Sequence, residues 1–256
     1  MFAGRDIVAL AADLAKHKHP LDAFCLTCSE DFLLTPDELD SVVTAALAIR
    51  LPRLDLFDCH LTPEAVPALC RLLSSTALTV LRIIHLRSLS LLLDEASAVL
   101  LGEALRANRT LTSLLLDDVL SNGRDTAVLL LSLVGHASIR TLTCRGEASG
   151  DPEIVDEYDP VLIGMCLRAL IAANAPALEE LDVSGNHLGD AGLGPLCDAL
   201  PRNTHLCTLK IQSNGMSAAF AAQRLLPAVR ANESLRLLEA DDVADEAVRL
   251  VNARRA

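Results

Sequence analysis

At 256 residues, this chain is long for one compact domain and comfortable for an elongated array of repeats. Apolar residues make up 51% of it, which excludes a disordered chain, and aromatics are nearly missing, with five Phe, one Tyr and no Trp. A formal net charge of −12 excludes nucleic acid as the main ligand, because phosphate neutralisation needs a basic face, and points to a protein partner with a basic surface.

The N-terminal segment carries Asp6 and Asp13 and lacks the basic start and apolar run of a secretory leader. No apolar stretch reaches the ~18–20 residues of a spanning helix, so no membrane role is expected. The expected location is cytoplasmic, with the eight cysteines reduced. Residues 4–18, with Asp6, Ile7, Leu10 and Leu14, predict an amphipathic helix within a cap over residues 1–20.

From Leu21 onward the pattern L-x-x-L-x-L recurs. It begins at Leu21, Leu51, Leu78, Leu111, Ile139, Leu178, Leu206 and Leu235, with starts 27 to 39 residues apart. That period is long enough for a helix after each strand. Side chains alternate along a strand, so the fourth and sixth positions of each motif share one buried face. Helix signals follow. Thr62 before Pro63 and Glu64 predicts an N-cap with proline in the first turn, and Val66, Leu69 and Leu73 share a side. At the helix exits, Asn108, Asn203 and Asn232 each stand three residues before the next motif, which predicts left-handed caps. Asn108-Arg-Thr and Asn232-Glu-Ser also fit the glycosylation sequon, and the capping role is preferred because nothing routes the chain to the secretory pathway. Repeats over 21–242 and a C-terminal cap over 243–256, with Asp245–Asn252 as a short charged helix, complete the domain plan.

The segment Leu178-Glu-Glu-Leu-Asp-Val-Ser-Gly-Asn186-His-Leu188-Gly-Asp-Ala-Gly192-Leu193 resembles a ribonuclease-inhibitor-type leucine-rich repeat. Leu206 to Asn214 repeats it, and Leu51 to Cys59 carries Cys at the Asn position. Repeats 1 and 3 to 5 depart there, with Ser29, Leu86, Val119 and Glu147. The resemblance implies an α/β horseshoe of about eight repeats, with a parallel sheet on the concave side and helices on the convex side. It extends to ribonuclease inhibitors, immune-sensor repeat domains and a dynein-regulatory subunit of cilia, which implies a protein-binding scaffold in a cytoskeletal or ciliary assembly. An alternative is a GTPase activator of the Ran-activator type, although the acidic tail of that family has no match in Asn252-Ala-Arg-Arg-Ala.

No catalytic motif of the metalloprotease, serine-hydrolase or nucleotide-binding kinds occurs, and no enzyme, cofactor, metal or small-molecule substrate is expected. His60 and His187 occupy equivalent positions four repeats apart, too far to share a metal. Cys25-Leu-Thr-Cys28 has the spacing of a redox motif or half a zinc site, a third function class. Its position on a strand argues for ordinary small residues, as do the packing positions of Cys59, Cys144 and Cys197.

The face opposite the leucines is the candidate docking surface. It comprises Asp55, Phe57, Asp58, Arg82, Ile84, Leu115, Asp117, Asp118 and Arg145, then Glu179, Glu180, Asp182, Lys210, Glu239 and Asp241. Its C-terminal half is acidic, and Phe57, Ile84 and Leu115 are candidate contact anchors against the alternative of a merely solvated face. The longest repeat adds residues 147–160, an insertion with six acids and with Ile154, Val155 and Tyr158. Insertions in repeats often lie at the binding face, which adds Ile154 and Tyr158 to the candidates.

Overall fold

The computed structural model describes residues 6–17, 19–28, 34–59, 61–84, 94–117, 123–146 and 158–255. Each motif forms one strand: β1 Phe24–Thr27, β2 Arg53–Phe57, β3 Val80–Ile84, β4 Ser113–Leu116, β5 Thr141–Thr143, β6 Glu180–Asp182, β7 Thr208–Lys210 and β8 Leu237–Glu239. All eight pair in parallel, in sequence order, within one sheet. The register aligns the fourth motif position across the whole sheet, from Phe24 through Leu54, Leu81, Leu114, Leu142, Leu181 and Leu209 to Leu238. From Leu54 onward every member of that row is buried. A one-residue slip in any strand would turn its leucines to the open face, so burial fixes the register.

A parallel step needs a crossover, and helices supply it: α1 Ile7–Ala15, α2 Pro36–Ala48, α3 Val66–Leu73, α4 Glu95–Ala107, α5 Gly123–Ser132, α6 Pro160–Ala172 and α7 Gly189–Ala199. In the next crossover α8 Ala218–Phe220 and α9 Leu226–Ala231 are joined by the π-helical stretch Ala221–Leu225, and α10 Asp245–Asn252 follows the last strand. Val66, Leu69 and Leu73 are buried as the helical spacing predicts. Thr62 stands at the N-cap of the 3-10 turn Pro63–Ala65 that leads into α3, with proline in the first turn as expected, but its side chain makes no capping bond and is hydrogen-bonded to Glu64. A full capping box instead opens α2, where Thr35 and Glu38 bond each other's backbone amides.

The helix-exit asparagines also differ from expectation, for an instructive reason. Their backbones are extended, with φ of −66° at Asn108, −80° at Asn203 and −82° at Asn232, so none is a left-handed cap. Each side chain works between repeats. Asn203 donates Nδ2 to the Ile171 carbonyl at 2.9 Å and accepts from the amides of His205 and Leu206. Asn108 reaches Leu73, and Asn232 reaches Leu200 and Asn203, in the same manner. The orphan carbonyl at one helix end and the unpaired amides before the next strand are satisfied by one buried amide group. Asn108 and Asn232 are 5% and 0% exposed, which removes both sequons from solvent in the folded chain.

The ninth motif position forms a second such line. Asn186 and Asn214 donate to the carbonyls of Val183 and Ile211 in their own repeats, and Asn214 also bonds Val183 in the preceding repeat. Gly185, beside Asn186, has φ +77° and lies so close to Gly146 O that a Cβ there has no room.

Both ends of the described array are covered. Helix α1 is capped by Asp6, which accepts from Val8 and Ala9 amides, and it buries Ile7, Ala11 and Leu14 against α2. At the other end Asn252 bonds both the amide and the carbonyl of Leu238, covering the free edge of β8. Arg254 donates to the carbonyls of Val229 and Asn232 at 2.8 Å each. Those atoms correspond to the Leu200 and Asn203 carbonyls that Asn232 satisfies one repeat earlier, so Arg254 makes the bonds that an asparagine makes inside the array.

Candidate docking surface

The parallel register carries a second row across the concave face: Cys25, Asp55, Arg82, Leu115, Thr143, Asp182, Lys210 and Glu239. Phe57 and Ile84 pair at the strand ends beside it. The strands thus bring the predicted surface residues into one continuous strip, one residue per repeat, with neighbours a strand spacing apart. Asp118 and Ile154 lie outside the described residues, as does most of the 147–160 insertion.

Alternation alone predicts full exposure for this row, and the charges behave differently. Asp55 is only 4% exposed because Arg53, two residues earlier on the same face, grips both its carboxylate oxygens at 2.6 to 3.0 Å. Asp117 is 8% exposed and pairs with Arg145 at 3.4 Å; burial raises its carboxyl pKa, with Arg145 opposing that shift. Asp182 is also buried and accepts from the Ser184 amide. Lys210 pairs with Glu180 at 3.0 Å, and that hydrogen bond raises the ammonium pKa. Arg140 pairs with Glu179 at 2.9 Å. Ser184, Gln212 and Glu239 form a chain of hydrogen bonds at 2.7 and 2.8 Å. Asp241 accepts from the Ser213 amide at 2.6 Å, and Asp58 occupies a left-handed turn with φ 53°. Much of the acidic half is therefore bonded within the face, which lowers its field relative to the count of carboxylates.

Arg82 stands apart. It lies between Asp55, already held by Arg53, and Leu115, which offers no acceptor. Its Nε is buried with no hydrogen-bond partner among the described residues. Leu115 is its partner on β4, Ile84 lies two residues on along β3, and Phe57 pairs with Ile84; all three are partly exposed. That buried N–H is a polar group whose desolvation no hydrogen bond among the described residues offsets. Strand periodicity finds this residue, but only the pairing of its neighbours shows that its Nε is left over.

The other candidates resolve as follows. Tyr158 is half-buried and its hydroxyl donates to the Asn186 carbonyl; burial raises its pKa. Cys25 is exposed on the concave row, while Cys28 faces the other side and meets Cys59, so the Cys-x-x-Cys spacing does not bring its two thiols together. Cys59, Cys144 and Cys197 are at most 2% exposed, in line with packing positions, and burial pushes Cys197 up to about 12. Among the described residues no group of three or more His, Cys, Asp or Glu could hold a metal ion, and no helix is long and apolar enough to cross a membrane.

Residues 175–197 match the family model described as Leucine Rich repeat. No curated protein matches the chain. Among solved structures, one similar chain is a tropomodulin C-terminal domain from Caenorhabditis elegans; it is 11% identical, 98% of each chain is covered, and the TM-score is 0.28. At that identity and score, function has to be read from this chain's own residues. The matched segment contains β6 and most of α7, the other strands stack on it in register, and the protein is a leucine-rich-repeat solenoid.

Proposed function

We propose that the protein is a non-catalytic interaction scaffold of the ribonuclease-inhibitor-like kind, a subunit of a larger assembly that binds a partner protein along the concave strand face. The observation that carries this reading is the Arg82 cluster: a buried Nε without a partner among the described residues, in register beside Leu115 and next to the Phe57–Ile84 pair, on a face where the described ion pairs are closed. Solenoid curvature favours such a face for docking. A fitting partner presents an apolar side chain with a carboxylate towards Arg82, and basic residues towards Glu239, Asp241 and the exposed Asp242. A cytoskeletal or ciliary assembly is the preferred setting, on the family resemblance noted from sequence. The 147–160 insertion extends the proposal as a second contact.

Affinity purification with crosslinking from native cells tests it. Crosslinks should fall on β2 to β4 and around residue 158, and Arg82→Glu and Phe57→Ala should each abolish recovery of the partner while the melting temperature holds. Crosslinks confined to the convex helices would overturn the assignment. Acceleration of GTP hydrolysis by a candidate GTPase would replace the scaffold reading with the activator one.

A further inference from the structure

Two of the cysteines meet across a repeat boundary. Cys28 follows β1 and Cys59 follows β2, and their Sγ atoms stand 3.1 Å apart. The backbone fixes this approach, because the Cys28 amide donates to the Phe57 carbonyl at 3.0 Å and so extends the β1–β2 ladder past the strand end. Cys59 fills the ninth motif position, where Asn214 donates to carbonyls of two repeats. Its Sγ occupies the corresponding place, 3.2 Å from Phe57 O and 3.7 Å from Leu26 O, and its single proton is shared among these oxygens and the Cys28 sulfur. Cys59 is 1% exposed, whereas Cys28 is half-buried. Cys25 points to the other face, with its Sγ beside Thr27 Oγ1.

We infer that Cys28 and Cys59 form an oxidant-responsive dithiol, which hydrogen peroxide converts into an intramolecular disulfide joining the first two repeats. Accessibility sets the order of events. Cys28 reacts first, because Cys59 is sealed from solvent. Donation from Cys59 favours the Cys28 thiolate against the opposing effects of burial and the Glu38 and Asp58 carboxylates, and it holds Cys59 as the thiol. The Cys28 thiolate forms an S–O bond as the peroxide O–O bond breaks; hydroxide leaves and takes up the proton that Cys28 released. Cys59 Sγ then attacks the Cys28 sulfur of the sulfenic acid. The S–O bond breaks, and its oxygen departs as water with the Cys59 proton. Two thiols and one peroxide yield one disulfide and two waters.

The product acts at a defined place. It ties β1 to β2 covalently and takes the Cys59 S–H out of a site lined by the Leu26 and Phe57 carbonyls. In an array stabilised by nearest-neighbour interfaces, such a link changes the first interface and leaves the distant ones alone.

The test is peroxide treatment of the purified, folded chain, followed by alkylation and non-reducing peptide mass mapping. The expected result is a peptide pair linking Cys28 to Cys59, lighter by two hydrogens, in both the wild type and Cys25→Ser. Cys59→Ser should lose that pair and leave Cys28 trapped by dimedone as the sulfenic acid. Cys28→Ser, which leaves the buried Cys59 packing in place, should lose the pair and leave Cys59 unreacted. Full alkylation of both residues after peroxide, or a Cys25–Cys28 link in their place, would overturn the inference.

Discussion

His136 stands three residues before Ile139, the position that Asn108, Asn203 and Asn232 hold in other repeats, and it makes the same bonds. Nε2 lies 2.9 Å from the Leu105 carbonyl, and Nδ1 accepts from the amides of Ser138 and Ile139 at 3.3 and 3.2 Å. Those partners fix one neutral tautomer, protonated at Nε2, because a proton on Nδ1 would face two N–H donors. His136→Ala orphans one carbonyl and two amides in a site 7% exposed, a loss of about 2–4 kcal/mol at roughly one per bond. His136→Asn restores all three bonds and should cost about 1 kcal/mol or less. Burial, aided by Arg109 and opposed by the Leu105 carbonyl, lowers the pKa of His136 from its ordinary 6.5. The unfolded chain therefore binds a proton at higher pH than the folded one. The stabilisation is complete above the ordinary histidine value and drains as the pH falls through it towards the lower folded value. Urea unfolding of wild type, His136→Asn and His136→Ala at about pH 7.5 and about pH 5.5 measures both effects. The wild type should lose more stability than His136→Asn across that interval. Equal losses in the two, or a His136→Ala variant as stable as the wild type, would refute this account of the ladder.

Three further outcomes follow from the packing. Gly164→Ala would drive a Cβ into the Gly192 backbone where α6 crosses α7, and because backbone cannot rotate away it should cost about 3 kcal/mol in a thermal or urea melt. Arg254→Ala should expose the carbonyls of Val229 and Asn232 and cost about 1–3 kcal/mol locally; hydrogen exchange should quicken in α9 and β8 while the amides of β2 to β4 keep their protection. Arg82→Ala should leave stability within about 0.5 kcal/mol of wild type, or raise it, since a buried Nε without a partner contributes nothing favourable. The same substitution should weaken partner capture, a separation that a purely structural arginine would not show.

Leucine periodicity is a local property, and so the strand register, the crossover helices and even the bounds of Asp245–Asn252 are legible residue by residue. Each of the six interior repeats carries its own buried pair, such as Leu54 with Leu56 or Leu209 with Ile211, and no other repeat is needed to see it. The candidate strip is legible for the same reason, since strand alternation puts Phe57, Arg82 and Leu115 on one side. What the alternation misses is which charges remain free. Asp55 reads as an exposed acid until Arg53 is found holding it, and Arg82 becomes a candidate anchor only once its neighbours are known to be occupied.

The string of residues determined a stacked strand–helix array, because a fixed hydrophobic period satisfies itself repeat after repeat. Stacking alone decided how the polar groups between repeats are matched. His136 stands in for asparagine, Arg254 does the same beside the last strand, and Cys28 meets Cys59 instead of its sequence neighbour Cys25. Those pairings join groups about one repeat apart, and their geometry comes into existence only when one layer settles on the next.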